Sequence, residues 1–127
     1  MSSLLRNRIA NDIRNDLVNK MVFLGGPRQV GKTTLAQMLL GDYRDGHPGY
    51  YNWDNPEHRQ HILRRAWPYQ QLLLIFDEIH KFKNWRNLIK GYYDTFKSTH
   101  QFLVTGSARL DYYRKGGDSR ANASKKG

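Results

Sequence analysis

Leu5, Ile9, Ile13 and Leu17 fall four residues apart in the opening segment, with Arg6, Arg8, Asp12, Arg14 and Asp16 between them. That spacing lays the apolar side chains along one stripe of an amphipathic helix, which predicts a helix leaning on the core. "MVFLGG" then reads as a short buried strand closed by glycines. "GKTTLAQMLL" reads as a helix, because Leu35, Met38 and Leu39 recur at helical spacing, and Gly41 is its expected stop. Residues 42–49 read as loop. "YYNWD" predicts a strand, and "DNPEHRQHIL" a helix capped by Asp54 or Asn55 with Pro56 in its first turn. "QLLLIFDE" is a buried strand running into two carboxylates. "NWRNLIKGYYDTFK" places Leu88, Ile89, Tyr92, Tyr93 and Phe96 on one helical face, and "HQFLVTGS" is a further apolar strand ending in small polar residues.

Strands that alternate with helices predict an α/β fold, a mostly parallel sheet with helices on both faces. The chain of 127 residues suits one such domain. Residues 1–113 carry all the periodic segments, whereas 114–127, "RKGGDSRANASKKG", have no apolar period and predict a basic flexible tail.

Charge and composition narrow the partners. The 21 basic and 11 acidic residues give a formal charge of +10, which favours polyanions such as nucleotides or nucleic acid. The absence of cysteine excludes a disulfide framework and any thiolate metal site. The opening residues alternate apolar and charged positions instead of forming a signal-peptide block. The longest apolar run, from Leu72 to Phe76, is far too short to span a bilayer. The expectation is a soluble, cytoplasmic protein without a membrane partner.

Gly26, Gly31, Lys32 and Thr33 fit GxxxxGK[ST], with a strand predicted before the loop and a helix after it. Glycines let successive backbone N–H groups turn into one concavity, and the positive end of the following helix adds to its attraction for phosphate. The candidate cofactor-binding residues are Gly26, Pro27, Arg28, Gln29, Val30, Gly31, Lys32, Thr33 and Thr34. Lys32 would reach the outer phosphates, and the Thr33 hydroxyl would serve a magnesium ion bridging them. The bland alternative is a glycine-rich turn before a helix.

Asp77 and Glu78 follow "LLLIF", at the end of a predicted parallel strand where such sheets present their ligand-binding residues. Asp77 suits a hard dication, and Glu78 could orient and deprotonate an attacking water. Read alone, the pair would merely cap the next segment. A later strand ends in Thr105, Ser107 and Arg109, of which Ser107 is the candidate to sense a terminal phosphate and Arg109 a candidate charge-stabilising finger. Strand-end Ser and Thr also serve as ordinary turn formers, and arginine as a solvated surface charge.

The segments "GGPRQVGKTTL", "YYNWDNPEHRQHIL", "LLLIFDEIHKFKNWRNLIKGYYD" and "FLVTGSARLDYYRKGGDS", in that order, closely resemble the amino-terminal part of a widespread group of bacterial and archaeal AAA-type P-loop ATPases. The resemblance implies a P-loop NTPase core of the ASCE or AAA-like kind, with ATP and Mg2+ as cofactors. It also implies Lys32 and Thr33 as phosphate and magnesium groups, Asp77 as metal carboxylate, Glu78 as hydrolytic base, and Ser107 or Thr105 as sensor. In that fold a strand sits between the phosphate-loop strand and the acidic strand, a slot "HQFLVTGS" would fill. Relatives are usually much longer, and "RANASKKG", from Arg120 on, departs from their continuation. The expectation is an ATPase module shortened before the last strand of its sheet.

ATP binding with magnesium-dependent hydrolysis is therefore the leading reading. A non-enzymatic nucleic-acid-binding module, or an ATPase fragment without independent activity, are its rivals. Trp53, Trp67 and Trp85 interleaved with cations would suit stacked bases, although aromatics in a small domain mostly serve the core. His80 in "DEIHK" could couple nucleotide state to a neighbouring element, or belong to an acidic box like that of the DExH helicases, a reading that needs a much longer motor. The five histidines offer no metal-ligand set; His58 and His61 share a helical face without a third ligand.

Overall fold

A computed structural model of the protein describes residues 3–25, 32–41 and 47–107. Four helices, α1 (Ser3–Leu17), α2 (Lys32–Leu40), α3 (Pro56–Arg64) and α4 (Trp85–Phe96), alternate with four strands, β1 (Val22–Leu24), β2 (Tyr50–Asn52), β3 (Leu73–Asp77) and β4 (Gln101–Thr105). A 3-10 turn, Ile79–Lys81, lies between β3 and α4. All pairings are parallel and the strand order is β1-β4-β3-β2, so β4 occupies the slot between the first and the acidic strand. The 114–127 tail lies outside the described residues.

Alternation along the inner strands sorts the core into two layers. Leu73, Ile75 and Leu103 face α1 and α2, where they meet Ile13, Leu17, Val22 and Ala36. Leu74, Phe76, Phe102 and Val104 face the opposite way, onto Ile62 of α3 and Trp85, Ile89 and Tyr92 of α4. Both faces of the sheet are thus covered, as strands with near-continuous apolar runs require. The predicted stripe of α4 is in place: Ile89 and Tyr92 are buried, and Leu88, Tyr93 and Phe96 pack against the same cluster.

Local signals set the helix ends. Asn55 is the N-cap of α3, its side chain accepting from the Glu57 and His58 amides at 2.9 and 3.3 Å, with Pro56 behind it. Gly41 follows α2 at φ +88, a left-handed conformation that costs glycine little. Gly49 is needed for another reason. A Cβ there would stand 2.7 Å from the Leu73 carbonyl oxygen, so only glycine lets β2 start this close to β3.

Aromatic rings fill the α3 and α4 layer. Trp67 meets Phe76, Tyr92, Phe96 and Phe102 with centroids 5.5 to 6.4 Å apart, and Trp85 is buried against Phe23. These two tryptophans belong to the core. Trp53 is half-buried, tilted on Phe82 with the Arg59 guanidinium over its ring. Among the described residues no helix is long and apolar enough to cross a membrane.

The Tyr92 hydroxyl donates to the Ile62 carbonyl at 2.7 Å and ties α4 to α3. Burial raises the Tyr92 phenol above its ordinary pKa, against a smaller opposing pull from Arg65, and burial raises Tyr51 as well. A raised folded-state value means that the native protein holds this proton more tightly than the unfolded chain. That stability is fully present below about pH 10 and is lost as pH rises beyond it. Urea denaturation at pH 8 and at pH 10.5 should show a loss at the higher pH. Tyr92→Phe should lower stability by about 1 kcal/mol at pH 8 and diminish the alkaline loss.

Candidate functional site

The carboxyl ends of all four strands line up. Leu24 of β1 is level with Thr105 of β4, Thr105 with Asp77 of β3, and Asp77 with Asn52 of β2. The chain leaves β1 at this edge, and α2 begins after seven intervening residues. Gly26, Pro27, Arg28, Gln29, Val30 and Gly31 lie outside the described residues. Lys32, Thr33 and Thr34 form the first turn of α2, described by their backbone.

Asp77 continues the Leu73 and Ile75 alternation, so its side chain emerges on the face that α2 covers. Two hydroxyls hold it. Thr105 Oγ1 donates to Oδ1 at 2.8 Å, and the Tyr50 hydroxyl donates to Oδ2 at 2.6 Å. Both donors are neutral, so they orient the carboxylate without cancelling its charge. Each oxygen also keeps acceptor capacity, since a carboxylate offers about four lone-pair sites. A carboxylate oriented by neutral hydroxyl groups is a donor set that fits a hard dication such as Mg2+. Among the described residues no group of three or more His, Asp or Glu gathers as a metal site. A divalent ion here would rest on one carboxylate and on phosphate oxygens, the usual arrangement for Mg2+.

Glu78 turns out of the strand at φ 60 and ψ 19, in the left-handed region. For a residue with a Cβ this conformation costs roughly 1 to 2 kcal/mol. Its surroundings supply the compensation. The Glu78 amide donates to the Thr105 carbonyl at 2.8 Å, extending the β3–β4 ladder by one step. Its carboxylate accepts from the Ser107 amide at 3.2 Å and from the Ser107 hydroxyl at 3.0 Å. His80 Nε2 and Lys81 Nζ stand 3.6 and 3.7 Å from the same Oε1. Lys81 is shared with Asp54 at 2.9 Å, and hydrogen bonding to Asp54 raises its pKa above the ordinary lysine value. His80 Nδ1 is buried with no hydrogen-bond partner among the described residues.

The expected site residues thus separate into those brought together and those that the description does not reach. Asp77, Glu78, Thr105 and Ser107 form one cluster, in which β4 and the residues just after it serve both acids: Thr105 bonds Asp77 and Ser107 bonds Glu78. His80 touches that cluster through Glu78. Arg109 lies outside the described residues. His58 and His61 are engaged locally, His58 Nδ1 accepting from the Asn52 amide and His61 Nδ1 lying 3.0 Å from the Glu57 carbonyl oxygen. Tyr50 is the participant that sequence reasoning missed. Its aromatic strand was evident, but its partner depends on the β2–β3 register, which no local pattern carries.

A cleft of about 350 Å³ runs along β1 between Ile9, Asp12, Ile13, Asp16 and Lys20 of the α1 side and residues 21–24. It shares no residue with the Asp77 cluster. The chemistry-bearing groups of the described residues sit instead at the carboxyl edge of the sheet.

Thr105 is almost fully buried, and its hydroxyl is spent on Asp77. Thr105→Val keeps the shape and removes that donor. The expected loss in unfolding free energy by urea titration is about 1 to 2 kcal/mol at neutral pH.

No curated protein and no solved structure gives a significant match to the chain. A family model described as an AAA domain matches residues 18–125, from the end of α1 across every later element. This chain belongs to that AAA domain family.

Proposed function

We propose that the carboxyl edge of the sheet binds ATP with Mg2+ and hydrolyses it. The observation that carries this reading is the Asp77 carboxylate, oriented by two neutral hydroxyls on the same face of the sheet as the helix that follows the glycine-rich loop. Family membership supports a nucleotide-binding ATPase module. The GxxxxGK[ST] motif supports phosphate as the ligand.

In this reading the backbone N–H groups of residues 26–34 other than Pro27, which has none, and the Lys32 ammonium hold the phosphates. Thr33 and Asp77 would hold the Mg2+, which would supply charge neutralisation to the bound phosphates. Glu78 takes a proton from the attacking water, and Ser107, which bonds Glu78 through both its amide and its hydroxyl, keeps that carboxylate at the edge. Positioning and charge neutralisation supply the catalysis, because phosphoryl transfer leaves little covalent chemistry for the protein to perform.

Isothermal titration with ATP and Mg2+, followed by a phosphate-release assay, tests the reading. Lys32→Ala should abolish nucleotide binding; unchanged ATP affinity in that variant would refute the site. Glu78→Gln should retain ATP binding while phosphate release falls by about 10²-fold or more. A salt titration with single-stranded nucleic acid separates the rival reading, since counterion release makes such binding fall steeply with salt.

A further inference from the structure

Tyr50 and Asp77 are diagonal neighbours across the β2–β3 pair. Asn52 is the residue level with Asp77, and Tyr50 lies two positions before it, level with Ile75. Residues two apart on a strand share a face, and a diagonal neighbour is within reach of a long aromatic side chain. A shorter polar residue at position 50 would stop short of the edge. Tyrosine carries its hydroxyl up to it.

The resulting bond is 2.6 Å long, in the range of charge-assisted O–H···O contacts. It has a counterpart on the other side. β4 sends Thr105 Oγ1 to Oδ1, and β2 sends the Tyr50 hydroxyl to Oδ2, so the two strands that flank β3 each take one oxygen of the same carboxylate. One bond per oxygen, from opposite sides, fixes the plane of the carboxyl group as well as its direction. Asn52 extends the chain: its Nδ2 lies 3.4 Å from the Tyr50 oxygen, and its Oδ1 is itself fixed by the Asp54 amide at 2.9 Å. A hydroxyl that accepts a hydrogen bond is polarised into a better donor.

We propose that Tyr50 is a positioning residue for metal binding, which with Thr105 locks the Asp77 carboxylate in the orientation that leaves its remaining lone pairs for a divalent cation. This inference rests on the function proposed above. Partners that orient a metal-ligating group typically govern affinity by 10- to 100-fold. In Tyr50→Phe the ring remains and the hydroxyl goes, so Asp77 is held from one side alone and must be ordered at the moment the cation binds.

The test reads binding, not turnover. ATP affinity is measured for the full chain by isothermal titration in EDTA and across a Mg2+ series, and Mn2+ uptake by the nucleotide complex is followed by electron paramagnetic resonance. Tyr50→Phe should raise the half-saturating Mg2+ and Mn2+ concentrations about 10-fold while ATP affinity in EDTA stays unchanged. Thr105→Val, which opens the other side of the same clamp, should shift them in the same direction. Asp77→Asn should remove the cation dependence. A Tyr50→Phe midpoint within twofold of the parent, with Asp77→Asn altered, overturns the inference and leaves the proposed function standing. Equal weakening in EDTA and in Mg2+, accompanied by a lower unfolding midpoint, assigns Tyr50 to packing and also overturns it. An Asp77→Asn protein with unaltered cation dependence removes Asp77 from the metal site, and the inference falls with it. Absence of ATP binding by the unaltered chain overturns both.

Discussion

The position of β4 between β1 and β3 is the constraint on which everything else in this molecule depends. Parallel neighbours must be joined by crossovers, so the chain visits the far strands first and threads its last described strand into the middle. That strand is buried on both sides, with Phe102 and Val104 turned toward α3 and α4, and Leu103 toward α1 and α2. Its register then decides which polar atoms meet. Thr105 falls level with Asp77 because Phe102 and Leu103 fall level with Leu74 and Ile75, and a slip of one residue would turn both side chains to opposite faces.

Much of this architecture was readable in the sequence because its signals are local. The four-residue spacing of Leu5, Ile9, Ile13 and Leu17 produced α1, and Asn55 with Pro56 produced the start of α3. Continuous apolar runs ending in small or acidic residues produced β3 and β4 with their carboxyl ends in the right place. The place of β4 in the sheet came from resemblance, not from periodicity, since strand order is a property of the whole chain. Asp77 and Glu78 were visible as a pair, yet their different partners were not. Those partners follow from lateral register and from one backbone angle at Glu78, neither of which leaves a trace in residue spacing. Tyr50 went unrecognised for the same reason, as an aromatic in a strand has packing as its ordinary use.

Two carboxylates on consecutive residues would repel if they shared a site. Here the backbone separates them. Asp77 keeps strand geometry and stays on the α2 face, whereas the left-handed turn at Glu78 swings the second acid toward Ser107, His80 and Lys81. Neutral hydroxyls surround the first and nearby cationic or ionisable nitrogens the second, so adjacent residues of one type occupy different electrostatic environments. β4 braces both, through Thr105 and through Ser107 just beyond its end.

The left-handed backbone at Glu78 decides what a substitution there would change. Glycine would adopt the same torsions without steric penalty, and asparagine or aspartate at a smaller one. The backbone torsions alone thus give no reason for a long acidic side chain at this turn; what the carboxylate adds is its contacts with Ser107, His80 and Lys81. Exchanging Glu78 for glycine would therefore release the torsional strain at this turn and at the same time strip Ser107 of the acceptor for both its amide and its hydroxyl, so local relief and the bracing of the strand edge pull in opposite directions.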